Sequence, residues 1–178
     1  MHVKAKQVAF LGLLAAMVTL LIILSSLIES NTLFLLAAAS FFVGIAIREF
    51  GLKIGFGFFI ACILLGFLLS PNKLYVLTYT GFTLYILLNE ALYLLLNKIS
   101  REKQKVALFV LKFIFFNLLY IPVLFFFPQI LFPNGISKNV FYMFLLAGQL
   151  GWFVYDRAYE YFQAMVWGKY RSRIGLLR

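Results

Sequence analysis

VAFLGLLAAMVTLLIILSSLI, residues 8–28, is an apolar run of 21 residues without one charged side chain. At ~1.5 Å rise per residue a helix of that length reaches ~31 Å, the depth of a bilayer's hydrocarbon core. Lys4 and Lys6 ahead of the run mimic a secretory leader. The run is longer than a leader's apolar region of roughly 7–15 residues, and SLIESN (26–31) lacks an A-x-A-like cleavage site, so it reads as a retained first span.

The same pattern recurs along the chain. Its 178 residues are 64% hydrophobic and 12% charged, with mean hydropathy +0.99. A soluble domain is about 45–50% apolar and about 25% charged, so a globule in water is excluded and an integral membrane protein expected. Six apolar segments stand out, at 8–28, 33–47, 54–70, 74–96, 106–127 and 140–155, followed by a basic tail, 156–178, in one membrane domain. The second, third and sixth are short and need interfacial residues or local bilayer thinning to span. Backbone N–H and C=O groups find no partner in lipid, so the segments must be helices; the alternation of a β-barrel strand is missing.

The expected fold is therefore all-α, a polytopic bundle of six transmembrane helices. With both the N-terminus and the C-terminus cytoplasmic, the inner segments hold Lys4, Lys6, Arg48, Lys53, Lys98, Arg101, Lys103, Lys105, Lys169, Arg171, Arg173 and Arg178; the outer loops hold only Lys73 and Lys138. That asymmetry is the positive-inside signal. The net charge of +10 is scattered in these clusters and forms no continuous basic face, which argues against nucleic acid as a partner. The lipid bilayer is the first partner, and KYRSR (169–173) reads as a basic anchor for anionic lipid.

Charges within apolar surroundings are functional candidates by default. In GWFVYDRAYEYF (151–162), Asp156, Arg157 and Glu160 fall near the cytoplasmic interface, ringed by Trp152, Tyr155, Tyr159, Tyr161 and Trp167. Two readings compete there. One is a helix end with an Arg157–Glu160 ion pair at i,i+3; the other is a contact site for a partner. Glu90 lies deep in the fourth segment and is expected to pair with Lys112 in the fifth; Asn117 and Gln149 are placed to hydrogen-bond between the fifth and sixth. The sequence has no H-E-x-x-H, G-x-S-x-G or Walker A pattern, Cys62 stands alone, and the single histidine is His2. No enzyme activity, metal or cofactor is expected.

On the first helix Ala5, Ala9, Gly12, Ala16 and Thr19 are spaced 4, 3, 4 and 3 and share one face. Small residues let helices approach closely in lipid, either inside the bundle or against a separate subunit; Ala9, Gly12 and Ala16 form the tightest part. The outer side carries Glu29, Asn31, Asn72, Lys73, Tyr75, Tyr79, Asn139 and Tyr142, with Gln129 and Asn134 in the fifth loop. Aromatic walls with a few hydrogen-bonding groups suit a small, flat, polar organic ligand, although loops commonly have such compositions.

AFLGLLAAMVTL (9–20), LLSPNKLYVLTYTGFTLY (68–85) and LLAGQLGWFVYDRA (145–158), in a six-helix layout of this length, resemble the S component of an energy-coupling factor transporter. The last two also look similar to uncharacterised S-component-like membrane proteins of Gram-positive bacteria. The resemblance implies a bacterial plasma-membrane subunit that captures a vitamin-like micronutrient beneath its outer loops. It implies docking through helix one, with Ala9, Gly12 and Ala16 on the docking face, onto a transmembrane T subunit driven by two cytoplasmic ATPases. The alternative reading is a non-catalytic accessory or assembly subunit of a larger membrane complex.

Overall fold

The computed structural model describes residues 5–97, 100–126 and 138–169. The loop positions Gln129 and Asn134, the side chain of Glu29 and the tail 170–178 lie outside this described set. Among the described residues every regular element is helical: α1 (Ala5–Leu27), a short 3-10 turn (Glu29–Asn31), α2 (Thr32–Phe50), α3 (Leu52–Leu69), α4 (Lys73–Leu96), α5 (Arg101–Phe126), α6 (Lys138–Tyr161) and a π-helical stretch (Phe162–Trp167). Helices α1 to α5 are long and apolar enough to cross a membrane. Helix α6 is the least apolar of the six and is not among those five.

The helices outrun several of the apolar segments. The second, expected over 33–47, runs on through Arg48 and Glu49 to Phe50, and the sixth, expected over 140–155, continues through Asp156, Arg157 and Glu160. The helices are longer than the apolar segments: α2 has 19 residues, α3 18 and α6 24.

The chain forms two compact units, one containing residues 1–95 with 161–178 and the other residues 96–160. In the first, α1, α2 and α3 each pack against the other two. Their core is made of Leu14, Val18 and Ile22 from α1, Leu36, Ala39 and Val43 from α2, and Phe58, Phe59 and Cys62 from α3, with Val76 and Tyr79 of α4 completing it. The α2–α3 turn is made at Gly51, whose φ of 86° is a left-handed conformation that glycine adopts without the Cβ penalty. Its N–H donates to the Ile47 carbonyl at 2.8 Å and closes the last turn of α2. At the next turn Gly55 lies so close to Ile47 that a Cβ there would sit 2.9 Å from the Ile47 Cα.

The second unit is an antiparallel hairpin of α5 and α6 held by a polar ladder. Tyr120 donates its hydroxyl to the Phe144 carbonyl at 2.6 Å. Asn117 and Gln149 exchange amide hydrogen bonds of 2.9 and 3.3 Å, as their sequence positions suggested. Trp152 packs on Phe109, Phe113 and Phe116 with ring centroids 5.2–5.9 Å apart. Lys112 then meets Asp156 and Glu160. The partner numbers rise along α6 as they fall along α5, which defines the antiparallel register.

Candidate functional site

Several charged side chains of the helices gather into two networks that reach from the surface into buried positions. In the hairpin, Lys112 donates from Nζ to Asp156 Oδ1 at 3.0 Å and to Glu160 Oε1 at 2.7 Å. Arg157 Nη1 donates to Glu160 Oε2 at 3.1 Å, so the expected i,i+3 pair is present and is one link of a longer chain. Exposure rises along that chain, from 3% for the Lys112 side chain and 7% for Asp156 to 33% for Glu160 and 57% for Arg157. Two cations balance two carboxylates, which is the condition for keeping charge out of water.

In the four-helix unit Arg48 grips Glu90, with Nε and Nη2 donating to the same Oε1 at 2.9 and 2.6 Å. Glu90, expected from sequence to pair with Lys112, is bonded within its own unit by Arg48, which reads from sequence only as a topology charge. Next to it Trp167 donates its indole N–H to Glu49 Oε1 at 2.8 Å, and Gln163 donates to the Phe41 carbonyl at 3.3 Å. These bonds hold the π-helical stretch on α2, together with Phe162 against Phe41 at 5.3 Å. Gly51 carried the signal that could have found Arg48 and Glu49: a glycine stop at 51 places the helix end after them.

Asn89, beside Glu90, is buried, and neither its Nδ2 nor its Oδ1 has a hydrogen-bond partner among the described residues. Removing a buried, unsatisfied amide in favour of an apolar side chain of similar size is neutral or stabilising. Asn89→Leu is therefore expected to leave the thermal midpoint in detergent unchanged or raised; a drop of several degrees would contradict it.

The residues expected on the ligand side divide. Asn72 Oδ1 accepts the Leu74 N–H at 3.0 Å and starts α4, and Lys73 donates its ammonium to the carbonyls of Phe67 and Ser70 at the end of α3. Tyr79 is fully buried in the core, with Tyr75 half-buried against it. Asn31 is exposed at the start of α2 and makes no side-chain capping bond. Asn139 and Tyr142 are exposed on α6, in the hairpin.

The small-residue face of α1 is exposed from Ala5 to Ala16 and turns into the core at Thr19. Ala9, Gly12 and Ala16 are exposed, and a Cβ built on Gly12 would meet nothing within 4 Å. The buried face of the same helix is Leu14, Val18, Thr19, Ile22 and Ser25. Within its own unit, α1 packs through that buried face and not through Ala9, Gly12 and Ala16.

No group of three or more His, Cys, Asp or Glu side chains that could hold a metal ion occurs among the described residues. No protein-family model, curated protein or solved structure matches this chain.

Proposed function

We propose that this chain is a six-span protein of the bacterial plasma membrane, both ends cytoplasmic, that serves as the substrate-binding subunit of an ATP-driven micronutrient uptake transporter of the energy-coupling factor type. The observation that carries the reading is the outward small-residue face of α1, Ala9–Gly12–Ala16, where a backbone-close neighbour helix meets no obstacle. In this reading the face docks on a transmembrane T subunit coupled to two cytoplasmic ATPases. The protein itself performs no chemistry and captures a small organic ligand from outside. The distribution of Lys and Arg supports the orientation. The ion pairing of Arg48, Glu90, Lys112 and Asp156 supports helices that carry charge to the membrane interface.

Gly12→Leu tests it. The side chain has open space around it in the isolated chain, so the fold is expected to survive. Overpacking a helix contact costs about 1–3 kcal/mol, enough to reduce co-purification of the T and ATPase subunits about fivefold or more. Undiminished recovery of those subunits would refute the docking face. A non-catalytic accessory subunit is the second reading. It is favoured by the use of Asn72 and Lys73 as helix caps, which occupies two groups otherwise offered to a ligand. Ligand uptake by cells carrying the intact complex separates the two.

A further inference from the structure

We propose that the end of the four-helix unit marked by Lys6, Arg48, Lys53 and Lys169 is a recognition surface for anionic phospholipid headgroups. The proposal rests on the membrane reading and not on the transporter reading. Side-chain packing gathers these positions. Phe10, one turn beyond Lys6, packs on Phe50 at 6.1 Å and on Trp167 at 5.8 Å. Arg48 lies two residues before Phe50, Lys53 follows it across the Gly51 turn, and Lys169 lies two residues beyond Trp167.

The sign of the exposed charge is set by burial. Lys6, Lys53 and Lys169 are exposed, whereas the carboxylates at this end are sunk: Glu49 is 8% exposed and accepts from Trp167, and Glu90 is 5% exposed and accepts from Arg48. The surface is thus a cationic rim above a layer of Phe10, Phe50 and Trp167. At the other end of the same unit the basic residue is Lys73, whose ammonium is directed to the Phe67 and Ser70 carbonyls.

The occupant is an amphiphile and not a free anion, because exposed apolar side chains adjoin the rim. Val8 on α1 is 59% exposed and Phe56 on α3 is 50% exposed, each within a turn of a rim lysine. A phosphate seated among the lysines leaves its acyl chains along these flanks, while the lysine stems snorkel over the aromatic layer.

Native mass spectrometry of the full chain, released from vesicles of equal phosphatidylglycerol and phosphatidylcholine, is the test. The unsubstituted protein is expected to retain phosphatidylglycerol preferentially. Each rim lysine contributes about a fivefold preference, so K6Q/K53Q is expected to lose about 25-fold, with its helical circular dichroism intact. Equal retention of both lipids by the unsubstituted protein would overturn the proposal, as would an undiminished preference in K6Q/K53Q. Displacement of phosphatidylglycerol by inorganic phosphate at equal concentration would also overturn it, as the mark of a simple anion site. A chain that fails to co-float with vesicles would refute the membrane reading as well. A normal Gly12→Leu complex leaves this inference untouched.

Discussion

Lys112→Met is expected to destabilise the α5–α6 hairpin by about 3–5 kcal/mol, because it takes the paired cation away from a buried carboxylate. Asp156 is held by an ammonium that is 3% exposed and sits 3.0 Å away. Glu160 suffers less, since Arg157 still donates to its second oxygen at 3.1 Å. The damage therefore concentrates at Asp156, and K112M/D156L is expected to recover most of it: a buried pair exchanged for apolar side chains of similar volume is often neutral or stabilising. The measurement is the thermal midpoint of the purified protein in detergent for the two single variants and the double. The expected pattern is strong non-additivity, with the double variant more stable than K112M. A double variant as damaged as the sum of D156L and K112M would show that the two side chains are not coupled and that the network is not the hairpin's anchor.

The same network explains why the sequence was legible in some respects and not in others. The existence of the helices followed from runs such as 8–28, because an apolar stretch of that length has few alternatives. Their ends did not follow, because hydropathy stops at a charge whether or not the charge is paired. Arg48 and Glu49 ended the second segment on paper; in the fold Arg48 is neutralised by Glu90 and Glu49 is bonded by Trp167, so α2 continues to Gly51. Partners far apart in sequence, 42 residues for Arg48–Glu90 and 44 for Lys112–Asp156, depend on which helices lie side by side and in what register. Periodicity on one helix says nothing about that. It gave Asn117–Gln149, where two mid-helix amides had few other partners, and missed Arg48, one of many basic residues. The candidate site divided in the same way. The α1 stripe was visible as a spacing, but whether it faced in or out depended on the opposite face of Leu14, Val18 and Ile22 being the more apolar and better packed. Asn72 and Lys73 looked like ligand groups because turn-forming and ligand-binding residues are the same types, and the α3–α4 turn uses both.

Gly55→Ala is expected to destabilise the four-helix unit by about 1–3 kcal/mol, although alanine is the better helix former by about 1 kcal/mol. The added Cβ would lie 2.9 Å from the Cα and 3.1 Å from the Cβ of Ile47, and a backbone atom cannot swing aside as a side chain can. The last turn of α2 or the first turn of α3 must move. That turn of α2 carries Arg48 and Glu49, so the displacement pulls on the Arg48–Glu90 pair and on the Trp167–Glu49 bond together. Gly12→Ala and Gly151→Ala are the controls: both glycines are helical with nothing within 4 Å of an added Cβ, so propensity acts alone and stability is expected to hold or rise. In a W152F background, which leaves Trp167 as the single indole, Gly55→Ala is also expected to shift the Trp167 emission to the red as its contact with Glu49 loosens. An unchanged midpoint and unchanged emission would mean that α2 and α3 can separate at this turn without cost, and that the bonds of Arg48 and Glu49 at the end of α2 do not depend on the close approach at Gly55.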